Sequence, residues 1–269
     1  MNRHVLMWTG ILLSVVVLGS VSHRAADAET RALELINKHL AAVGGLEALG
    51  EIRDYTMKGT ARVSVMAQGF NGDLTFMAKV PARWRETFKS PYFEGDSGCD
   101  GRHLWVIGEG QVRKVSPLQE KIELEFAGMK ILTGPPRTGW KARYLGRETV
   151  SGKDALVIEL TSPSGRQARY YLDAESYLLL RSVVPAYNPM MRAETEGTTE
   201  FQKYRRVGKL MLPHWIFTSN GFLSKEIDVQ EWKFNTGLSD SLFEMPKVER
   251  HDPETIKSMG NVTLSLLPG

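Results

Sequence analysis

The chain has 269 residues, 42% hydrophobic and 24% charged, with a formal net charge of +3. So small a charge leaves no electrostatic footprint for nucleic acid, while the apolar content suffices for a substantial core. Cys99 is the sole cysteine, so no internal disulfide can form and stability must come from packing.

The first 28 residues carry the three parts of a secretory signal peptide in order. Arg3 and His4 make a basic start, and residues 5–21 form an apolar run broken only by Thr9, Gly10, Ser14, Gly19 and Ser20. Ala26-Asp27-Ala28 then supplies the small-x-small pattern that signal peptidase requires. The run is shorter and more interrupted than the roughly 20 apolar residues a spanning helix needs. Cleavage after Ala28 is expected, leaving residues 29–269 as one domain exported to the periplasm. No cysteine stands at the cleavage site to carry a lipid, so the exported form is expected to be soluble and not a lipoprotein.

Leu33, Ile36, Leu40 and Val43 recur at helical spacing and predict a helix over 30–43. Gly44-Gly45 stops it, and Leu46, Leu49 and Ile52 suggest one further helical turn. A strand is expected over 55–66, a turn at Gly69–Gly72, and an alternating strand over 73–80 that Pro81 ends. Residues 83–88 form the next strand, with Trp84, Glu86 and Phe88 on one face. Cys99-Asp100-Gly101 reads as a turn, and 103–107 and 111–115 as a hairpin around Gly108-Glu109-Gly110.

A second helix then interrupts the sheet. Ser116, Pro117 and Gln119 form an N-terminal capping signature. Leu118, Ile122, Leu124, Phe126, Met129 and Leu132 follow, up to Gly134-Pro135-Pro136. Glu120, Glu123 and Glu125 are expected on its wet face. Strands resume over 142–150, 155–161, 166–172 and 177–184, then a loop at 185–191, then 193–206, 214–219 and 225–234. Links this short require antiparallel neighbours, so the expected fold is a meander of about eleven strands. One helix precedes it and one is inserted in it. The tail from Lys247 reads as a short helix and a last strand.

Chemistry is sparse. Beyond the signal segment the histidines are His39, His103, His214 and His251, none at metal-binding spacing. There is no Gly-x-Ser-x-Gly elbow, and Gly108-x-Gly110 has no helix behind it to bind phosphate. Cys99 reads as a packed thiol, and Asp96 and Asp100 as turn formers. The protein is therefore read as non-enzymatic, with no catalytic residue, metal or cofactor. Large apolar side chains are plentiful instead: Trp84, Trp105, Trp140, Trp215, Trp232, Phe76, Tyr170 and Phe217. A sheet of this size has more apolar face than two short helices can cover. Either it closes on itself or it keeps a concave apolar face that a ligand can fill.

Four segments resemble the LolA/LolB/LppX-like superfamily, in particular outer-membrane lipoprotein-sorting proteins. They are Leu40–Leu49 followed by Gly59, Tyr170–Leu178, Tyr204–Pro213, and the closing set Asn235, Asp240, Phe243 and Pro246. The resemblance implies a mainly β (α+β) fold: an open, strongly curved antiparallel sheet, an unclosed barrel whose concave face helices lid. It also implies a periplasmic carrier of lipid or lipoprotein acyl chains, moved toward the outer membrane without chemical change. An inner-membrane loading complex and an outer-membrane acceptor would be its partners. A sensor or interaction module detecting lipids or lipoproteins with the same cavity is the alternative. Alternation nominates Val63, Val65, Leu74, Phe76, Trp84, Ile158, Tyr170, Leu180, Trp215 and Phe217 for the cavity, with Leu124 and Phe126 on the lid.

Overall fold

The computed structural model describes residues 9–65, 68–92, 94–108, 111–126 and 139–246. Met66, Phe93, Glu109-Gly110, Met129 to Pro136 and the tail from Lys247 lie outside them. Two helices, α1 (Thr9–Val43) and α2 (Gly45–Gly50), precede six strands: β1 (Asp54–Val65), β2 (Gln68–Lys79), β3 (Arg83–Lys89), β4 (Glu94–Asp100), β5 (Leu104–Gly108) and β6 (Gln111–Lys114). Helix α3 (Pro117–Phe126) leads to β7 (Lys141–Val150), β8 (Lys153–Thr161), β9 (Gln167–Asp173), β10 (Leu179–Asn188) and β11 (Ala193–Gln202). After them come β12 (Arg205–Val207), β13 (Leu210–Leu212), β14 (Trp215–Ser219) and β15 (Leu223–Phe234).

Thirteen strands form one curved antiparallel sheet in the order β6-β5-β4-β3-β2-β1-β15-β14-β11-β10-β9-β8-β7, and β12–β13 is a separate ribbon. The meander is thus two runs joined at their inner ends, because β15 returns to pair with β1 over Tyr55↔Phe234 to Val65↔Leu223. Its outer edges, β6 and β7, do not pair. The sheet stays open, and α3 lies between the two edge strands in chain order.

Several expectations change. The first helix begins at Thr9, not residue 30, and runs without a break past Ala28. The expected turn at Gly69–Gly72 is strand: a Cβ on Gly72 would stand 2.1 Å from the Lys89 carbonyl oxygen, so this glycine permits close strand approach. The turn expected at Cys99-Asp100-Gly101 lies one residue later, at Asp100–His103, and a strand not expected, β4, runs into it. Its glycine-rich sequence has weak β propensity, yet Gly98 is needed beneath the Trp105 ring, 2.5 Å from where a Cβ would lie. β10 runs through Pro185, which was expected in a loop. The β9 ladder ends at Val183↔Arg169, so β10 has one partner fewer there and tolerates proline. The long strand expected over 193–206 breaks at Lys203, which takes a φ of 53°. These differences account for thirteen strands and a ribbon in place of about eleven.

The four resembling segments have physical work in the fold. Gly44 sits at φ 131°, and a Cβ there would lie 2.6 Å from the Lys209 carbonyl oxygen, so the α1–α2 break docks on the β12–β13 ribbon. Leu210 and Leu212 of that ribbon bury Ala48 of α2. Asp173 accepts the amides of Glu175 and Ser176, at 3.1 and 2.9 Å, to shape the turn into β10. Asn235 bonds Arg53 and Glu51 across the sheet end, and Phe243 is fully buried, its carbonyl accepting from Trp105 Nε1 at 3.3 Å.

The core divides along the sheet. On the β7–β10 half, Ala32, Leu35, Ile36 and Leu40 of α1 fill the inner face against Leu156, Ile158, Leu160, Tyr170 and Leu172. Each large side chain buried this way contributes about 1.5–3 kcal/mol. On the other half, Met57, Ala61, Val63, Leu74, Phe88, Ile227 and Val229 pack together. α1 does not reach across this second half, where the inner face borders a cavity.

Candidate functional site

The cavity has a volume of about 720 Å³, within the roughly 300–1,000 Å³ usual for ligand sites. Its wall follows from strand register. Tyr55 pairs with Ala78, and Ala78 with Trp84, so all three share a face. Phe76 pairs with Glu86, Glu86 with Ser97, and Ser97 with Val106, which carries the same face across to β5. Leu223 and Lys225 of β15, Thr218 of β14, and Val184 and Ala186 of β10 complete the strand side. Phe76 stacks on Trp84 with centroids 6.1 Å apart, and Tyr55 lies 6.0 Å from Phe76. Burial pushes the Tyr55 phenol up to about 12, as a poorly hydrated wall requires. At the mouth, Leu46 and Val80 are 54% and 47% exposed beside Pro81 and Ala82.

Helix α3 forms the remaining wall. Gln119, Glu123 and Phe126, spaced four and three residues apart, put one helical stripe toward the cavity. The helix starts as expected: Ser116 Oγ accepts the Gln119 amide at 3.2 Å. Gln119 does not close the capping box, because its side chain donates instead to Glu123 Oε1 at 2.7 Å. The glutamates are not a wet face. Glu120 accepts the Leu104 amide at 2.9 Å, tying the helix to β5. Glu125 pairs with Arg166 at 2.8 Å and accepts from Ser164 at 2.7 Å, tying it to the β8–β9 turn. Phe126 meets Trp140 edge-on at 5.5 Å. Each polar contact needs a glutamate facing inward, and the exposed positions are Pro117, Leu118 and Lys121.

Five charged side chains line the cavity: Lys79 and Arg83 beside Val80–Ala82, and Glu86, Glu123 and Lys225 from three different elements. Glu86 and Lys225 form an ion pair. Desolvation raises the Glu123 carboxyl above its usual range; the Gln119 bond and the Lys225 charge oppose this only in part, and Glu86 adds to it.

Elsewhere the reactive side chains are committed to structure. The Cys99 thiol is buried, pushed up by desolvation, and accepts the Gly101 amide at 3.3 Å. His39 donates from Nδ1 to the Tyr177 carbonyl oxygen at 2.9 Å, and burial lowers its basicity. His214 does the same to Leu212 at 3.1 Å. Asp96 lies in β4 bound by Arg85 and not in a turn, whereas Asp100 accepts the Arg102 and His103 amides. Among the described residues no group of three or more His, Cys, Asp or Glu is placed to hold a metal ion.

The nominated residues fall into three places. Phe76, Trp84 and Phe126 line the cavity. Val63 and Leu74 sit in the packed cluster on the same face, and Val65 follows opposite Leu223. Ile158 and Tyr170 are also on that face but lie within the core that α1 packs; the Tyr170 hydroxyl has no hydrogen-bond partner among the described residues. Leu124 is half-buried and off the cavity stripe of α3. Leu180 packs with Val157 and Tyr171 on the opposite face. Trp215 and Phe217 also face away from the cavity side, since Ile216 and Thr218 alternate with them, and they stack 6.4 Å apart with Trp215 donating to Glu226 at 3.0 Å. Glu86 and Lys225 were not nominated. Their signal was a charge in apolar phase, Glu86 between Trp84 and Phe88, and Lys225 between Leu223 and Ile227.

No family model and no curated protein matches the chain. Solved structures do. A DUF1329 family protein from Desulfovibrio piger aligns over 81% of this chain and 97% of its own, with TM-score 0.53 and 14% identity. A LolA superfamily protein from Nitrosomonas europaea aligns over 79% and 97%, with TM-score 0.51 and 13% identity. A domain from Vibrio parahaemolyticus, named for outer membrane lipoprotein sorting, aligns over 80% and 97%, with TM-score 0.50 and 16% identity.

Proposed function

We propose, with the LolA-like fold of this chain as the premise, that the protein binds acyl chains of a lipid or lipoprotein and carries them through the periplasm toward the outer membrane. The observation that carries this reading is the 720 Å³ cavity, walled by Tyr55, Phe76, Trp84, Leu104 and Val184. Each methylene moved from water into such a wall gains about 0.8 kcal/mol, so about ten of them outweigh a substantial part of the association cost. Helix α3 acts as the lid. Its two polar ties, Glu120 to β5 and Glu125 to Arg166, can break and re-form without disturbing the sheet. The names of the N. europaea and V. parahaemolyticus structures agree with this role. No described helix is long and apolar enough to cross a membrane. Among the described side chains of α1, Ala26 and Asp27 are exposed and full burial begins at Ala32, which agrees with cleavage after Ala28. The role needs no catalysis; loading and receiving partners in the two membranes would complete the route.

The test has two arms. Protein purified from a bacterial envelope is extracted and its lipid identified by mass spectrometry, and delipidated protein is titrated with a fluorescent monoacylglycerol. Bound lipid and micromolar binding of the probe are expected. Trp84→Ala should weaken probe binding about tenfold, roughly the value of one large buried side chain. Trp215→Ala, on the opposite face, should leave it unchanged. A protein that carries no lipid and binds no probe would overturn the reading.

A further inference from the structure

The charged groups of the cavity do not balance evenly. At its mouth Lys79 and Arg83 share Asp240, all three substantially solvated. Inside, the ammonium of Lys225 is taken up by Glu86. That leaves Glu123, held by α3 over the apolar wall, with the neutral amide of Gln119 as its hydrogen-bond donor. A carboxyl placed so has its charged form disfavoured until a cation comes beside it, and Glu123 titrates above its usual range, desolvation being the main cause.

We propose that the cavity selects amphiphiles with an ammonium head, the head on Glu123 and the tail on the wall of Phe76, Trp84, Leu104 and Val106. The assignment rests on the carrier reading above. An ammonium would meet two carboxylates and one lysine, and would supply the charge that Glu123 lacks. Phe76 and Trp84 line the same cavity, and aromatic ring faces also favour cations. An anionic head fares worse: it must displace Glu86 from Lys225 and then face both carboxylates, because the other lining cations, Lys79 and Arg83, are held by Asp240. A neutral head gains neither interaction. The tail alone would bind in all three cases, so the selectivity lies in the head and is separable from the binding of acyl chains.

The probes are dodecylamine, dodecanol and dodecanoate, each displacing the fluorescent monoacylglycerol from the delipidated full chain. The wild type should bind dodecylamine about tenfold more tightly than dodecanol, the usual worth of one hydrogen-bonded charge pair, and dodecanoate no better than dodecanol. Glu123→Gln keeps shape and hydrogen bonding, so the ratio of dodecylamine to dodecanol affinity should fall from about ten to about one. A measurement on the wild type alone stands beside it. The amine preference should fade as pH drops through the carboxyl titration, because the protonated acid no longer attracts the ammonium. Dodecanol binding should not follow pH. Equal binding of the three probes, a preference for dodecanoate, a preference independent of pH, or one that survives Glu123→Gln would overturn the assignment and leave the carrier reading standing. Failure of all three probes to bind would overturn both.

Discussion

Asp54 shows how a single buried carboxylate can close a fold. It accepts the amides of Thr236 at 2.8 Å, Gly237 at 3.0 Å and Leu238 at 3.4 Å, together with the Thr236 hydroxyl at 3.1 Å. Burial alone would raise this carboxyl, but the four bonds together outweigh it and hold it below its usual range. The folded form therefore binds its proton less readily than the unfolded one. The stability that follows is fully present above about pH 4, the unfolded carboxyl value, and is lost as pH falls through the lower folded value. Thermal melts from pH 7 to 2 should show this: Asp54→Asn melts lower than wild type at pH 7, and the gap narrows below pH 4. A gap that stays constant with pH would remove the carboxylate charge from the explanation. Glycines at this scale mislead a reader of the sequence. Gly72 and Gly98 look like turn formers, yet both lie in strands because a neighbouring carbonyl or ring occupies the place of a Cβ.

At the scale of elements, α3 forms one wall of the cavity through Gln119, Glu123 and Phe126. Its apolar and polar stripes were partly legible, since Ile122 and Phe126 are buried as their spacing implies. Its glutamates were not, because a charged residue on a short helix reads as solvated until a partner on another element is known. Glu125 meets Arg166, forty-one positions away in the chain and itself bonded to Glu194 at 2.7 Å. Both Arg166 and Glu125 are only about one-seventh exposed, so removing one partner strands the other in a poorly solvated place. Arg166→Ala should speed release of a bound lipid about tenfold, equivalent to about 1.4 kcal/mol off the barrier. Transfer of a fluorescent lipid from loaded protein to vesicles measures this. An unchanged rate would mean that α3 does not gate the cavity. The ribbon β12–β13 was missed for a related reason: three-residue strands carry too little periodicity to be read, and Leu210 and Leu212 acquire their face only against Ala48.

For the whole molecule, the decisive feature is where the sheet leaves its edges. The sheet remains open because β15 closes on β1 in its middle and leaves β6 and β7 as edges, with α3 between them in chain order. The leader is expected to end at Ala28. Mass spectrometry of exported protein should find Glu29 as the first residue, and Ala28→Arg should block processing, because signal peptidase admits only small side chains there. An exported form that retains residues 1–28 would make this segment an anchor and the protein a tethered binder.

The sequence by itself determined the class of the fold. Period-two alternation, short links and capping residues are local properties, so an antiparallel sheet with a helix before it and one within it could be read directly. It also determined that large apolar faces exceed what two helices can cover. Only the tertiary structure decided which strands neighbour which, because β1 and β15 meet across almost the whole chain and no local signal encodes that pairing. Their meeting put Phe76 and Trp84 on the cavity and turned Trp215 and Phe217 to the other side. A strand that shifts phase by one residue exchanges its faces, and the bulge between Lys58 and Gly59 does this to part of β15. The charged trio of Glu86, Glu123 and Lys225 arises in the same way, from three elements whose side chains meet only where the sheet curves back on itself.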